Sequence, residues 1–281
     1  MSSRTSLLGF CVLAYGLTWM CWLPIGFAKA GLIKLPVAPE MLATLGQFGP
    51  FASAVLFSAL DGRTGGVRGL LGRLVLWRVS PVWFGFVLLL PPLCLFCAIF
   101  VHALVEGNWG EAPSLSDALD VLPHLFVTFL IGGPLGEEPG WRGFALPRLR
   151  AAWRPIPASV VLGLIWAGWH LPLWWIADVP TSFGFYVVGV IPLTYLFTWA
   201  SDRTKGSVLV AMLFHASLNT SLARLPIRPA WVEWTVVLWL VALAVGIFHW
   251  TRGSRYGDVL PVSPHPAAEP DAGAEKSAML Q

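Results

Sequence analysis

Gly133-Pro134-Leu135-Gly136-Glu137-Glu138-Pro139-Gly140-Trp141-Arg142-Gly143 closes an apolar run that begins near Leu119. Two adjacent carboxylates at the end of a hydrophobic stretch are costly in lipid. Groups of this kind face the interior of a helix bundle and are functional-site candidates. Pro134, Pro139 and the glycines are expected to disturb a regular helix here, freeing backbone groups that only a protected or wet site tolerates. If the chain is helical from Glu138 onward, Arg142 follows at i+4 on the same face and can pair with it. Glu137 then points about a quarter turn away and is free for chemistry. A helix end carrying ordinary interfacial charges is the plainer alternative.

The rest of the chain agrees that the solvent is a bilayer. Of 281 residues, 56% are hydrophobic and 12% charged, against roughly 25% charged in soluble domains, and the mean hydropathy is +0.70. Sixteen Trp and 28 Gly fit the same class, since Trp marks membrane interfaces and Gly is common in membrane helices. A spanning helix needs about 20 mostly apolar residues. The expected spans are 6–27, 41–60, 81–103, 119–136, 157–177, 183–200, 206–222 and 231–250. The architecture expected is therefore all-α, a polytopic membrane protein of about eight transmembrane helices.

Eight spans put both termini on one side. With that side cytoplasmic, it holds most of the basic residues, among them Arg63, Arg68, Arg73, Arg78, Arg148, Arg150, Arg154 and Arg203. The opposite side keeps Lys29, Lys34, Arg224 and Arg228 beside an acidic loop with Glu106, Glu111 and Asp117. This satisfies the positive-inside rule for a multi-pass cell-membrane protein with cytoplasmic termini. No small-residue cleavage site follows the first span, so it reads as a helix and not a signal peptide. Residues 1–250 read as one transmembrane domain. Residues 251–281, rich in Pro, Ala, Glu and Ser, read as a disordered cytoplasmic tail. The net charge of +3 gives no sign of nucleic acid as a partner. Cys11, Cys21, Cys94 and Cys97 lie in apolar runs and read as packing thiols, although Cys94 and Cys97 form a C-x-x-C.

Two further polar intrusions lie in later spans. His170, in Trp166-Ala167-Gly168-Trp169-His170-Leu171-Pro172, is expected as a neutral imidazole able to accept a proton or bind a metal. His215 and Asn219 are four apart and share a helix face. Donors in that arrangement suit the oxyanion formed when water attacks an amide carbonyl; an interhelical hydrogen bond is the plainer reading. Under the topology above all three sets lie below the cytoplasmic surface and can converge in one cavity. A carboxylate base, histidines and an amide are the parts that amide hydrolysis needs. His102, His124 and His249 lie near span ends, where an imidazole reaches water; Asp178 and Glu233 lie near the outer interface.

In order and spacing, Glu137-Glu138-x-x-x-Arg142, Trp166-x-x-x-His170 and His215-x-x-x-Asn219 resemble the CPBP family of intramembrane proteases, the CAAX prenyl endopeptidase and bacteriocin-processing group also called Abi. The resemblance covers roughly residues 120–222. It implies an eight-helix endopeptidase with a cytoplasm-facing cavity, acting on a lipidated protein or a membrane-embedded peptide. Glu137 and His170 would activate water, His215 and Asn219 would stabilise the oxyanion, and Glu138 and Arg142 would support them. It also implies either no cofactor or a zinc ion held by Glu137, His170 and His215. Trp166 stands where Phe is usual, and Pro139-Gly140 replaces apolar residues. Two other functions stand beside it: a non-catalytic immunity or scaffold protein of the same fold, and a transporter. Oligomeric state is unreadable from these residues.

Overall fold

The computed structural model describes residues 3–61, 65–107, 115–177, 179, 182–224 and 230–253. Among them there is no strand. The chain is built from α1 (Ser3–Lys29), α2 (Pro39–Gln47), α3 (Gly49–Asp61), α4 (Gly66–Leu74), α5 (Pro81–Glu106), α6 (Leu115–Ile131) and α7 (Pro134–Glu138). A π-helical segment (Pro139–Ala145) then leads to α8 (Leu146–Ala152), α9 (Pro155–Trp169), α10 (Leu173–Ile176), α11 (Phe183–Arg203), α12 (Val208–Arg224) and α13 (Ala230–Gly253). This is an all-α integral membrane protein. Among the described residues, six stretches are long and apolar enough to cross a bilayer: Thr5–Lys29, Pro39–Leu60, Pro81–Glu106, Leu119–Ala152, Pro155–Ile176 and Phe183–Arg203. The seventh expected span is the 17-residue α12. The eighth falls in α13, whose apolar part is Thr235–His249. The expected tail from 251 starts in the last turn of α13, and residues 254–281 lie outside the described residues, as does Asp178.

Several expected spans are broken where the sequence has helix stoppers. The 157–177 run divides at His170, which caps α9 and donates its N–H to the Ala167 carbonyl at 3.0 Å. Pro172 disfavours helical geometry at Leu171, and the chain resumes as α10. The 41–60 run is likewise two helices, α2 and α3, meeting at Gln47–Gly49. The 119–136 run ends at Gly132 and Gly133. It restarts as α7 and then widens into the π segment, where the Leu146 N–H reaches back five residues to the Trp141 carbonyl.

Lipid gives helices little hydrophobic reason to associate, so packing and interhelical hydrogen bonds do it. Trp169 Nε1 donates to Thr18 Oγ1 at 2.9 Å, and Thr18 Oγ1 donates to the Gly46 carbonyl at 2.7 Å, which ties α9, α1 and α2 together. Trp19 Nε1 reaches the Trp169 carbonyl at 3.0 Å. Ser159 and Thr198 hydroxyls join α9 to α11 at 2.8 Å, and Ser217 Oγ joins α12 to the Leu88 carbonyl of α5 at 2.8 Å. Phe10, Trp22, Trp141, Phe144, Trp169 and Phe197 fill the space between these helices and are fully buried.

Two glycines position the acidic turn. Gly133 has φ +108°, and a Cβ there would lie 2.7 Å from Glu137 Oε1. Its bare backbone makes the bend and leaves room for the carboxylate. A Cβ on Gly136 would lie 2.5 Å from the Gln47 carbonyl oxygen, so the α2–α3 break sits directly on α7. That oxygen is backbone and cannot rotate aside. Gly136→Ala is therefore expected to destabilise the fold by about 1–3 kcal/mol, read as a lower unfolding midpoint of the detergent-solubilised protein. An unchanged midpoint would mean that this contact does not set the position of α7.

Candidate active site

The three polar sets of the sequence meet. Glu137 and Glu138 are in α7, Arg142 is in the π segment, His170 caps α9, and His215 and Asn219 are one turn apart on α12. Glu138 is wholly buried, Arg142 is 1% exposed, and Glu137 and His215 are each 4% exposed. Glu137, His170, His215 and Asn219 line one cavity of about 480 Å³. Its remaining lining is mostly apolar and comes largely from α11, α12 and α13.

The expected Glu138–Arg142 pair forms, with Arg142 Nη1 donating to Glu138 Oε1 at 3.0 Å. It does so across a π turn. The guanidinium is packed between the rings of Trp166, at 4.2 Å, and Phe197, at 4.0 Å. Planar, weakly hydrated guanidinium suits such a slot. The same Glu138 Oε1 also receives His215 Nδ1 at 2.7 Å, a contact the spacing gave no sign of. One carboxylate oxygen thus joins α7, the π segment and α12. Because a carboxylate accepts, Nδ1 carries a proton and Nε2 is the nitrogen left for other partners.

Glu137 has separate attachments. Trp166 Nε1 donates to its Oε2 at 2.8 Å, and His170 Nε2 stands 3.8 Å from that same oxygen. His170 Nδ1 lies 2.8 Å from the Trp166 carbonyl. A carbonyl only accepts, so Nδ1 holds the proton and Nε2 presents its lone pair toward Glu137. Tyr186 Oη is 3.1 Å from the same Nδ1. Asn219 Nδ2 donates to the Gly132 carbonyl at 3.0 Å, spending one of its two amide hydrogens.

Trp166 was visible in the sequence only as the aromatic four residues before His170. In three dimensions its indole holds Glu137, its carbonyl holds His170, and its ring covers Arg142. Tyr186 was missed. Its one signal was a phenol in an apolar span, which needs a polar partner. His102, His124 and His249 do not line the cavity, and the four cysteines are free and half-buried.

Among the described residues, no group of three or more His, Cys, Asp or Glu side chains is placed to hold a metal ion. No step below runs through a metal.

Residues 120–221 match the family described as Type II CAAX prenyl endopeptidase Rce1-like. The chain is also 26% identical over 189 residues to CAAX prenyl protease 2 of Methanococcus maripaludis, covering 63% of this chain and 68% of that protein. The matched segment begins within α6 and ends within α12, and it contains Glu137, Glu138, Arg142, His170, His215 and Asn219.

Removing one partner of a buried ion pair strands the other and costs about 3–5 kcal/mol. Arg142→Met should lower unfolding stability by that order. Adding Glu138→Gln should recover part of the loss, because the stranded charge is then gone. Chemical unfolding of the three variants measures this, and strict additivity of the two losses would contradict a shared site.

Proposed function

We propose that this chain is an intramembrane endopeptidase of the CAAX protease kind that it matches, hydrolysing a peptide bond with water activated between Glu137 and His170. The carrying observation is that Glu137 Oε2 and His170 Nε2 face each other at 3.8 Å inside a largely apolar cavity. Both are acceptors in the protonation pattern fixed by Trp166. At that separation they do not bond each other, and a water can donate one O–H to each.

In the reaction, the water oxygen attacks the scissile carbonyl carbon as Glu137 takes its proton, with His170 holding the second O–H. The carbonyl oxygen becomes an oxyanion, held by the free Asn219 amide hydrogen and by His215 Nε2. Nε2 donates only when the imidazole carries a second proton. Collapse of the tetrahedral intermediate breaks the C–N bond, and the proton on Glu137 passes to the departing amine. Glu138 and Arg142 hold His215 and contact no substrate.

The relative's name, CAAX prenyl protease 2, supports a lipidated peptide as substrate. The apolar lining suits a membrane-embedded chain equally well. The basic residues of one expected side support a cytoplasmic placement of both termini, which a C-terminal reporter fusion checks directly.

Glu137→Ala and His170→Ala are each expected to abolish cleavage of a farnesylated CAAX-type peptide by folded protein. Asn219→Ala is expected to slow it by about 10²–10³-fold. Activity should survive chelator and track no metal in elemental analysis. Unchanged cleavage in both the Glu137 and His170 variants would sink the mechanism. Chelator inhibition reversed by added zinc would replace its metal-free form.

A further inference from the structure

We propose that Gln47 binds the peptide main chain of the substrate, its side-chain amide pairing with one amide unit next to the scissile bond. The proposal rests on the protease reading and adds a contact that reading does not contain. Gln47 ends α2 at the break before α3, in an apolar span otherwise made of residues such as Leu45, Phe48 and Phe51. An amide in such a span is unfavourable unless its polar atoms are paired. Yet Gln47 Oε1 is buried and has no hydrogen-bond partner among the described residues.

Gln47 lines the same cavity as Glu137, His170, His215 and Asn219. Its backbone is fixed relative to them, because the Gln47 carbonyl is packed against bare Gly136, one residue before Glu137. Other polar side chains of the lining are already engaged. Trp22 Nε1 donates to the Ala43 carbonyl at 3.0 Å, Trp166 Nε1 to Glu137 at 2.8 Å, and Tyr186 is bonded to His170. Were Gln47 merely stitching helices together, its oxygen would have an interhelical partner, as Thr18 and Ser159 do.

The ligand chemistry follows from what an amide can match. A primary amide offers an acceptor and donors side by side, complementary to the N–H and C=O of a main-chain unit. It is neutral, so it selects no charged side chain. A peptide entering this apolar cavity loses its hydrogen bonds to water, and each unanswered group weakens binding. Gln47 answers one of them irrespective of the residue type presented there.

The test measures binding separately from chemistry. A fluorescent farnesylated CAAX-type peptide is titrated into full-length protein carrying Glu137→Gln, with and without Gln47→Met, which keeps side-chain length without the amide. A parallel peptide series replaces each amide N–H in turn by an ester oxygen. The expected result is about tenfold weaker binding for Gln47→Met. In addition, one ester position should weaken binding to the Gln47 protein by a similar factor and have no further effect in the Met variant. Equal affinity of the two proteins overturns the proposal, as does an ester series whose penalties are identical in both. Should the Met variant fail to fold, an ester series without any penalised position in the Gln47 protein overturns it alone. If protein with Glu137 intact does not cleave the peptide and the Glu137→Gln protein does not bind it, the protease reading falls together with this one. Cleavage with no role for Gln47 leaves that reading standing and this one refuted.

Discussion

A single carboxylate oxygen, Glu138 Oε1, receives both Arg142 Nη1 and His215 Nδ1. Glu138 is wholly buried, so neither bond is weakened by water, and neither partner can leave without stranding a charge. The node fixes three separate pieces of chain at once: α7, the π segment and α12. It also sets which nitrogen of His215 faces the cavity. Arg142 extends the restraint further, since its guanidinium is clasped by Trp166 of α9 and Phe197 of α11. The placement of the cavity-lining polar groups therefore depends on a buried charge pair, Glu138 and Arg142, that does not itself line the cavity.

Around this node the residues divide by what they hold. Trp166 organises the Glu137 and His170 pair, one through its indole and the other through its carbonyl. Glu138 organises His215, and the Gly132 carbonyl organises Asn219. Each of these side chains is thus anchored through one hydrogen bond and keeps further bonding capacity toward the cavity, which is the arrangement a preorganised site needs. A Phe at position 166 would keep the ring against Arg142 and lose the donor to Glu137. The Trp at this position thus decides how the Glu137 carboxylate is held.

Much of this was legible in the residues because burying charge in lipid is so unfavourable that it marks itself. Glu137, Glu138, His170, His215 and Asn219 stood out against apolar neighbours, and the i+4 spacings of Glu138–Arg142 and His215–Asn219 gave the local pairing. What stayed hidden was of three kinds. Contacts between distant segments, such as His215 with Glu138 or Tyr186 with His170, leave no periodic trace. The π segment also has no sequence period of its own; Pro139 and the glycines signalled disturbance without saying which form it takes. Gln47 was overlooked for a third reason: an uncharged amide in a span of Leu, Ala and Phe looks like tolerance, and only its buried, unanswered oxygen distinguishes it.

The widened turn from Pro139 to Ala145 makes chain length, and not only composition, a determinant of the site. A π turn amounts to one residue more than an α-helix needs for the same advance. Deleting one residue there would let the ladder close in α register with α7 and α8 still nearly in phase, because the widened turn is what absorbs the extra residue. Inserting one more residue would exceed what a single widened turn absorbs and would rotate α7 by about 100° relative to α8. A single insertion in this stretch is thus predicted to turn the two glutamates away from the histidines with every side chain of the site still encoded, whereas a single deletion flattens only the turn that carries Arg142.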